Sequence, residues 1–242
     1  MPGRRLTTTA VLVAALATTT TGCGRDSDPE PTTPAPPPTA TGGSASPSAP
    51  ASPQAFRSEI KKVTARDLPH SWRRGCPVSP SGLRMIEMTY WGMDDKPHPN
   101  GRLVVNADHA EDLVKVFRRL YDDRYPIKRM EPVDVYKGSD FDSIEANNTS
   151  AFNCRQATGS SNWSQHALGT AVDINPCENP YVSSSGRVAH KDCVKFKDRS
   201  RRDPGVIHDG DKVVKAFASI GWGWGGDWSG TKDYQHFSAS GR

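Results

Sequence analysis

No apolar run in this chain is long enough to cross a bilayer as a stable helix; Ala10 to Ala17 (AVLVAALA) falls well short of the ~20 residues needed. No internal repeat is visible, which sets repeat architectures aside. Charge of one sign is barely in excess: 31 Lys and Arg against 27 Asp and Glu leave +4, too modest for a nucleic-acid-binding surface. The chain has 5 cysteines, none closely paired as a cysteine zinc site would require. Apolar surface is scarce in residues 24–55, where 9 of the 20 prolines sit among Thr, Ser, Ala and Gly. Such a segment cannot offset the entropy of ordering and is expected to be an extended, solvated linker.

What is present begins with an export pattern. Arg4 and Arg5 precede the short apolar run, and Thr18 to Gly22 lead to Cys23, so residues 1–22 read as a signal peptide. Thr-Thr-Gly-Cys resembles a bacterial lipoprotein cleavage box, although Thr20 stands where Leu is usual. Cys23 is therefore expected to carry a lipid anchor to the cell membrane, with plain secretion as the alternative. Residues 23–55 form the tether, and 56–242 are long enough for one well-buried core, expected to be a monomer. Residues 1–55 carry no net charge, so the whole excess lies on the domain, where it suits an anionic surface such as a bacterial wall. Once Cys23 is set aside, Cys76, Cys154, Cys177 and Cys193 make an even number in an oxidising compartment. Of three possible pairings the preferred one is Cys177–Cys193, closing a polar loop, with Cys76–Cys154 tying the domain's start to its middle.

Within the domain, Ser81 to Trp91 and Arg102 to Val105 read as strands. Ala110, Leu113, Val114, Phe117, Leu120 and Tyr121 recur at helical spacing, with Asp108 and Glu111 as a capping box and Pro126 beyond the end. Ile127 to Tyr136 is expected to be extended, and 137–165 to be loop. Ala171 to Asn175 reads as a strand, and Asp209 as the cap of a second helix carrying Val213, Val214, Phe217 and Ile220 before Gly221. These elements imply an α+β domain with a small, mostly antiparallel sheet and two or more packed helices.

Three residues suggest a metal. Zinc in hydrolases commonly takes three ligands from His, Asp or Glu and keeps a fourth position for water. His166 and Asp173 lie seven apart, and Gly169 with the β-prone segment after it argues for a turn into a strand that folds the two together. His236 follows later, with Asp233 three places before it, so there is one more carboxylate than a metal triad needs. The pattern Ser-x-His-x-x-Gly-x-Ala-x-Asp, then Trp-Gly-Gly-Asp-Trp, then Asp-x-x-His-Phe, resembles the zinc D-alanyl-D-alanine carboxypeptidase family. That family includes VanY-like enzymes and L-alanyl-D-glutamate endopeptidases and shares its fold with Hedgehog signalling domains. The resemblance covers about residues 76–242. It implies Zn2+ on His166, Asp173 and His236, with Asp233 as catalytic acid/base and Arg155 contacting a substrate carbonyl or carboxylate. The substrate it implies is the peptidoglycan stem peptide. The last motif departs from the classical pattern, which has Glu where Asp233 stands; the shorter side chain is more like the endopeptidase branch.

Other residues have quieter readings beside functional ones. Ser164 lacks the elbow of a catalytic serine and is expected to orient the turn or a ligand. Trp222, Trp224 and Trp228 either line a substrate groove or pack in the core, and Asp227 either meets a substrate amide or caps a turn. His70, His98, His109, His190 and His208 have no partners at ligand spacing and are expected at the surface. A zinc-stabilised, non-catalytic wall-binding module is the reading from another class; it would have no use for Asp233.

Overall fold

Strand β2 (Leu83–Trp91) alternates between two buried environments, and this sets the layering of the domain. It pairs antiparallel with β1 (Ser58–Lys62) on one side and β3 (Pro97–Asn106) on the other. Ile86 faces Leu103 across the ladder, and both enter the main core, whereas Met85 and Val104 face the other way onto Leu68 and Phe152. Period-two side-chain direction thus lets one sheet serve two apolar clusters. The computed structural model describes residues 54–242. The expected signal segment, the Cys23 lipidation site and all but the end of the 23–55 linker lie outside the described residues.

Helix α1 (Ala110–Asp122) covers the main face of that sheet with Ala110, Leu113, Val116, Phe117, Leu120 and Tyr121. Val116 holds the stripe position expected of Val114, which is only partly buried. The expected capping box is not used. A 3-10 turn at Ala107–His109 runs straight into α1, so the cap moves upstream, where the Asn106 side chain accepts from the Asp108 N–H. Residues 127–136 are not a strand. Isolated bridges at Ile127 and Met130 give way, after Pro132, to a 3-10 turn at Val133–Tyr136, because proline has no N–H to offer a ladder. The stretch expected to be loop contains α2 (Asp140–Glu145), started by the Ser139 hydroxyl accepting from the Asp142 N–H.

A one-turn helix, α3 (Gln165–Leu168), leads into the second sheet. That sheet has β8 (His236–Ser238) at its centre, with β4 (Ala171–Asp173) and β6 (Gly223–Trp224) on its flanks. A two-stranded ladder joins β5 (Tyr181–Val182) to β7 (Lys232–Asp233). Every named strand pairing is antiparallel, so the domain is α+β as expected. Helix α4 (Lys212–Ala218) has Asp211 at its start rather than Asp209, and the Asp211 carboxylate accepts from the His208 N–H. Phe217 of α4 stacks on Phe237 of β8 at 4.1 Å and meets Phe117 of α1, so the main core continues beneath the second sheet.

The disulfides are Cys76–Cys154 and Cys177–Cys193. They argue for an oxidising, extracytoplasmic environment. Among the described residues no helix is long and apolar enough to cross a membrane.

Candidate metal centre and active-site cavity

The turn that presents His166 is specified locally. The Ser164 hydroxyl accepts from the His166 N–H at the start of α3, and Gly169 ends the helix at φ 67°. A Cβ at Gly169 would lie 2.6 Å from the Asn106 nitrogen, so glycine is needed both for the left-handed backbone and for the close approach. The chain then enters β4, whose last residue, Asp173, is the direct cross-strand partner of His236 in β8. A short helix and one ladder therefore gather three side chains that the sequence separates by up to 70 residues.

His166 Nε2 lies 3.2 Å from Asp173 Oδ2 and 3.2 Å from His236 Nδ1, and His236 Nδ1 lies 3.1 Å from Asp173 Oδ1. All three residues are buried. The second nitrogen of each ring faces a backbone carbonyl: His166 Nδ1 is 2.6 Å from the Ala151 oxygen, and His236 Nε2 is 3.4 Å from that of Arg242. A carbonyl can only accept, so those nitrogens carry protons, and when the rings are neutral, as metal binding requires, the lone pairs of His166 Nε2 and His236 Nδ1 turn toward Asp173. Two lone pairs and a carboxylate converging in a buried space call for a cation. Tetrahedral zinc bonds of 2.0–2.1 Å place ligand atoms about 3.3 Å apart, close to the spacing found here, so the donor set fits the ion.

The electrostatics agree. Burial works to raise the Asp173 carboxyl, but the charge and hydrogen bonds of His166 and His236 outweigh it and hold the group far below the usual carboxylate range. Burial also works to lower His236, yet its hydrogen bond to Asp173 raises it above the ordinary imidazole value. Asp233, on β7, behaves oppositely: burial and the neighbouring Asp173 charge push its pKa up to about 7. Asp233 Oδ1 is buried and has no hydrogen-bond partner among the described residues. Gly225 permits this placement, since a Cβ there would lie 2.4 Å from the Asp233 carbonyl oxygen.

His166, Asp173, Asp233 and His236 all line one cavity of about 790 Å³. Arg155 and Ser164 line it too, as does Trp228, whose ring lies 5.4 Å from that of His236. Trp222 and Trp224 are in the core instead, and Asp227 is exposed in the 3-10 turn Gly225–Asp227, outside the cavity lining.

Several lining residues gave no signal in the sequence. His190 is buried in the cavity wall rather than at the surface, with Nδ1 2.5 Å from Glu145 and its ring tilted against that of Phe141 at 4.5 Å. Asp140, at the start of α2, places Oδ1 2.9 Å from Arg155 Nε. Tyr181, on the loop closed by Cys177–Cys193, is the ladder partner of Asp233. Only the Ser139–Asp142 cap pattern hinted at α2; a polar loop folding over the site leaves no periodic trace.

Comparisons with known proteins fall on the same segment. No curated protein and no solved structure matches the chain. Residues 158–239 match the family model described as D-alanyl-D-alanine carboxypeptidase. That span carries His166, Asp173, Asp233 and His236, so over the part of the chain that builds the site, the likeness to the D-alanyl-D-alanine carboxypeptidase family seen in the motifs holds.

Proposed function

We propose that this chain is a zinc metallopeptidase that hydrolyses peptidoglycan stem peptides by the chemistry of the D-alanyl-D-alanine carboxypeptidases. The observation that carries this reading is Asp233, a partly buried carboxylate with one oxygen buried and unpartnered, in the same cavity as three convergent metal donors. His166 would hold the ion through Nε2, His236 through Nδ1 and Asp173 through its carboxylate. When bound, zinc supplies a centre of net +1 charge that lowers the pKa of water toward ~7 and polarises a peptide carbonyl.

The rest is done by side chains. Asp233 accepts a proton from the attacking water and returns it to the leaving amine. Arg155 puts a guanidinium into the cavity, where it stabilises negative charge developing on the scissile carbonyl oxygen. Ser164 fixes the turn that aims His166, and Trp228 shields His236. A purely structural zinc site has no role for Asp233, which favours catalysis over a wall-binding module.

The setting follows from the same reading. A lipid on Cys23 and the linker up to residue 55 would hold the domain outside the cell membrane. As a flexible coil that linker spans ~30 Å, and as polyproline II up to ~100 Å, enough to reach into the wall. The test is digestion of defined muropeptides by the purified protein, with and without chelator and with zinc restored, read by mass spectrometry. A zinc-dependent cleavage product is expected. Absence of any such product, from a folded protein that binds zinc, would leave the non-catalytic module standing.

A further inference from the structure

The proposed reaction gives Arg155 a substrate oxygen to bind, and what sort of oxygen depends on the charge that Arg155 presents. That charge is shared. Asp140 Oδ1 lies 2.9 Å from Arg155 Nε, a close ion contact without the alignment of a hydrogen bond. On its other side the guanidinium donates from Nη1 to the Gln156 carbonyl at 3.3 Å. Asp140 and Arg155 are both lining residues of the cavity, and both side chains are only partly exposed, so solvent screens the pair incompletely. The placement is built in: the Ser139 cap starts α2, and Asp140 is the first residue of that helix.

Other charges face the same cavity. Asp173 and Asp233 add two more carboxylates, and the Asp233 side chain feels the Arg155 charge. The second guanidinium, Arg242, lies over the Trp228 ring at 6.0 Å, on the His236 side of the cavity. A substrate carboxylate approaching Arg155 would therefore be repelled by Asp140 a few ångströms away, whereas a neutral peptide carbonyl would carry no net charge to be repelled.

Resting on the peptidase reading above, we infer that Asp140 is a specificity-determining residue. By engaging Arg155 it disfavours a free carboxylate beside the scissile bond and favours a continuing peptide chain, so the enzyme cuts within stem peptides rather than trimming their ends. Repulsion between like charges a few ångströms apart in a partly screened site corresponds to a discrimination on the order of tenfold or more. Asp140 acts through Arg155 and is a positioning and charge-balancing residue, outside the reacting atoms.

The test uses the zinc-loaded protein and a matched pair of peptides. Both span the bond identified in the muropeptide digest and end one residue beyond it, one in a free carboxylate and the other in a carboxamide. The wild type should cleave the carboxamide at least as efficiently as the acid. Asp140→Asn should raise the acid-to-amide ratio of kcat/KM by about tenfold, chiefly through a lower KM for the acid. Asp140→Glu, which keeps the charge, should restore the wild-type ratio. A wild type that already prefers the acid tenfold, or a ratio unmoved in Asp140→Asn, overturns the inference while leaving the peptidase reading intact. Failure of the wild type to cut any muropeptide overturns both. Circular dichroism and zinc content of each variant separate misfolding from altered selectivity, and a fold loss confined to Asp140→Asn would assign the residue to structure and sink the inference.

Discussion

Replacing Asp233 by asparagine should move activity and stability in opposite directions. Asn keeps the shape of the side chain but removes both the charge and the proton acceptor. In the zinc-loaded enzyme, loss of a general acid/base costs 10²–10⁴ in turnover. In the metal-free protein the wild-type carboxyl is a burden, because burial and Asp173 raise it from the ordinary 3.8 to about 7. A group whose folded pKa lies above its unfolded value loses its stabilising contribution as pH rises. Here the contribution is fully present below about pH 4, falls as pH climbs through about 7, and is constant above that. At 1.36 kcal/mol per pH unit the full loss is about 4 kcal/mol. For a domain of this size that corresponds to a melting shift on the order of 10 °C. Thermal melts of metal-free wild type and Asp233→Asn at pH 5 and pH 8 should therefore diverge, with the variant more stable at pH 8. Paired turnover assays should show the variant inactive although it binds zinc. Near-normal turnover would refute the base assignment, and identical melts at pH 8 would refute the account of why that carboxyl is raised.

Zinc affinity should rise with pH through about 7, because in the metal-free site Asp233 keeps its proton up to about that pH and His236 is raised as well, so binding displaces protons; competition with a chromophoric chelator measures it. Gly169→Ala should lower stability by more than ~1 kcal/mol in urea titrations, since it forces a Cβ against Asn106 at positive φ, and should weaken zinc binding through the displaced His166. Replacing Cys177 and Cys193 by serine opens a 16-residue loop and should cost about 3 kcal/mol by denaturant melts. It should also reduce turnover beyond the loss of folded protein, because that loop carries the β5 partner of Asp233.

Much of this domain was legible where patterns are long or local. The stripe of α1 and the apolar run of β2 were visible because burial on one face repeats many times. The two halves of the site were visible because each is a short motif, His166 with Asp173 and Asp233 with His236. Their union was expected only through the family resemblance, since in the fold it rests on the β4–β8 register, and three-residue strands carry no readable pairing signal. Asp140 escaped notice because α2 is six mostly polar residues inside a stretch that resembles loop. His190 was read as a surface residue because nothing near it in sequence shows that the loop closed by Cys177 and Cys193 folds back onto α2, where Glu145 and Phe141 receive it. Capping was read two residues out of place at both α1 and α4, because Asp is common near helix starts and only the path of the preceding turn decides which residue is used.

The pairing of Asp173 with His236 has a consequence for when the ion arrives. Backbone ladders, the Ala151 carbonyl and a packed phenylalanine stack hold the donors, and none of these needs a metal. Small zinc modules collapse without their ion, but on the metallopeptidase reading this scaffolding would leave little reorganisation for the binding step. On that reading such a protein could be exported empty, fold, and be charged wherever zinc is met. Scarcity of the metal would then idle a standing pool of enzyme that a later supply revives, without new synthesis.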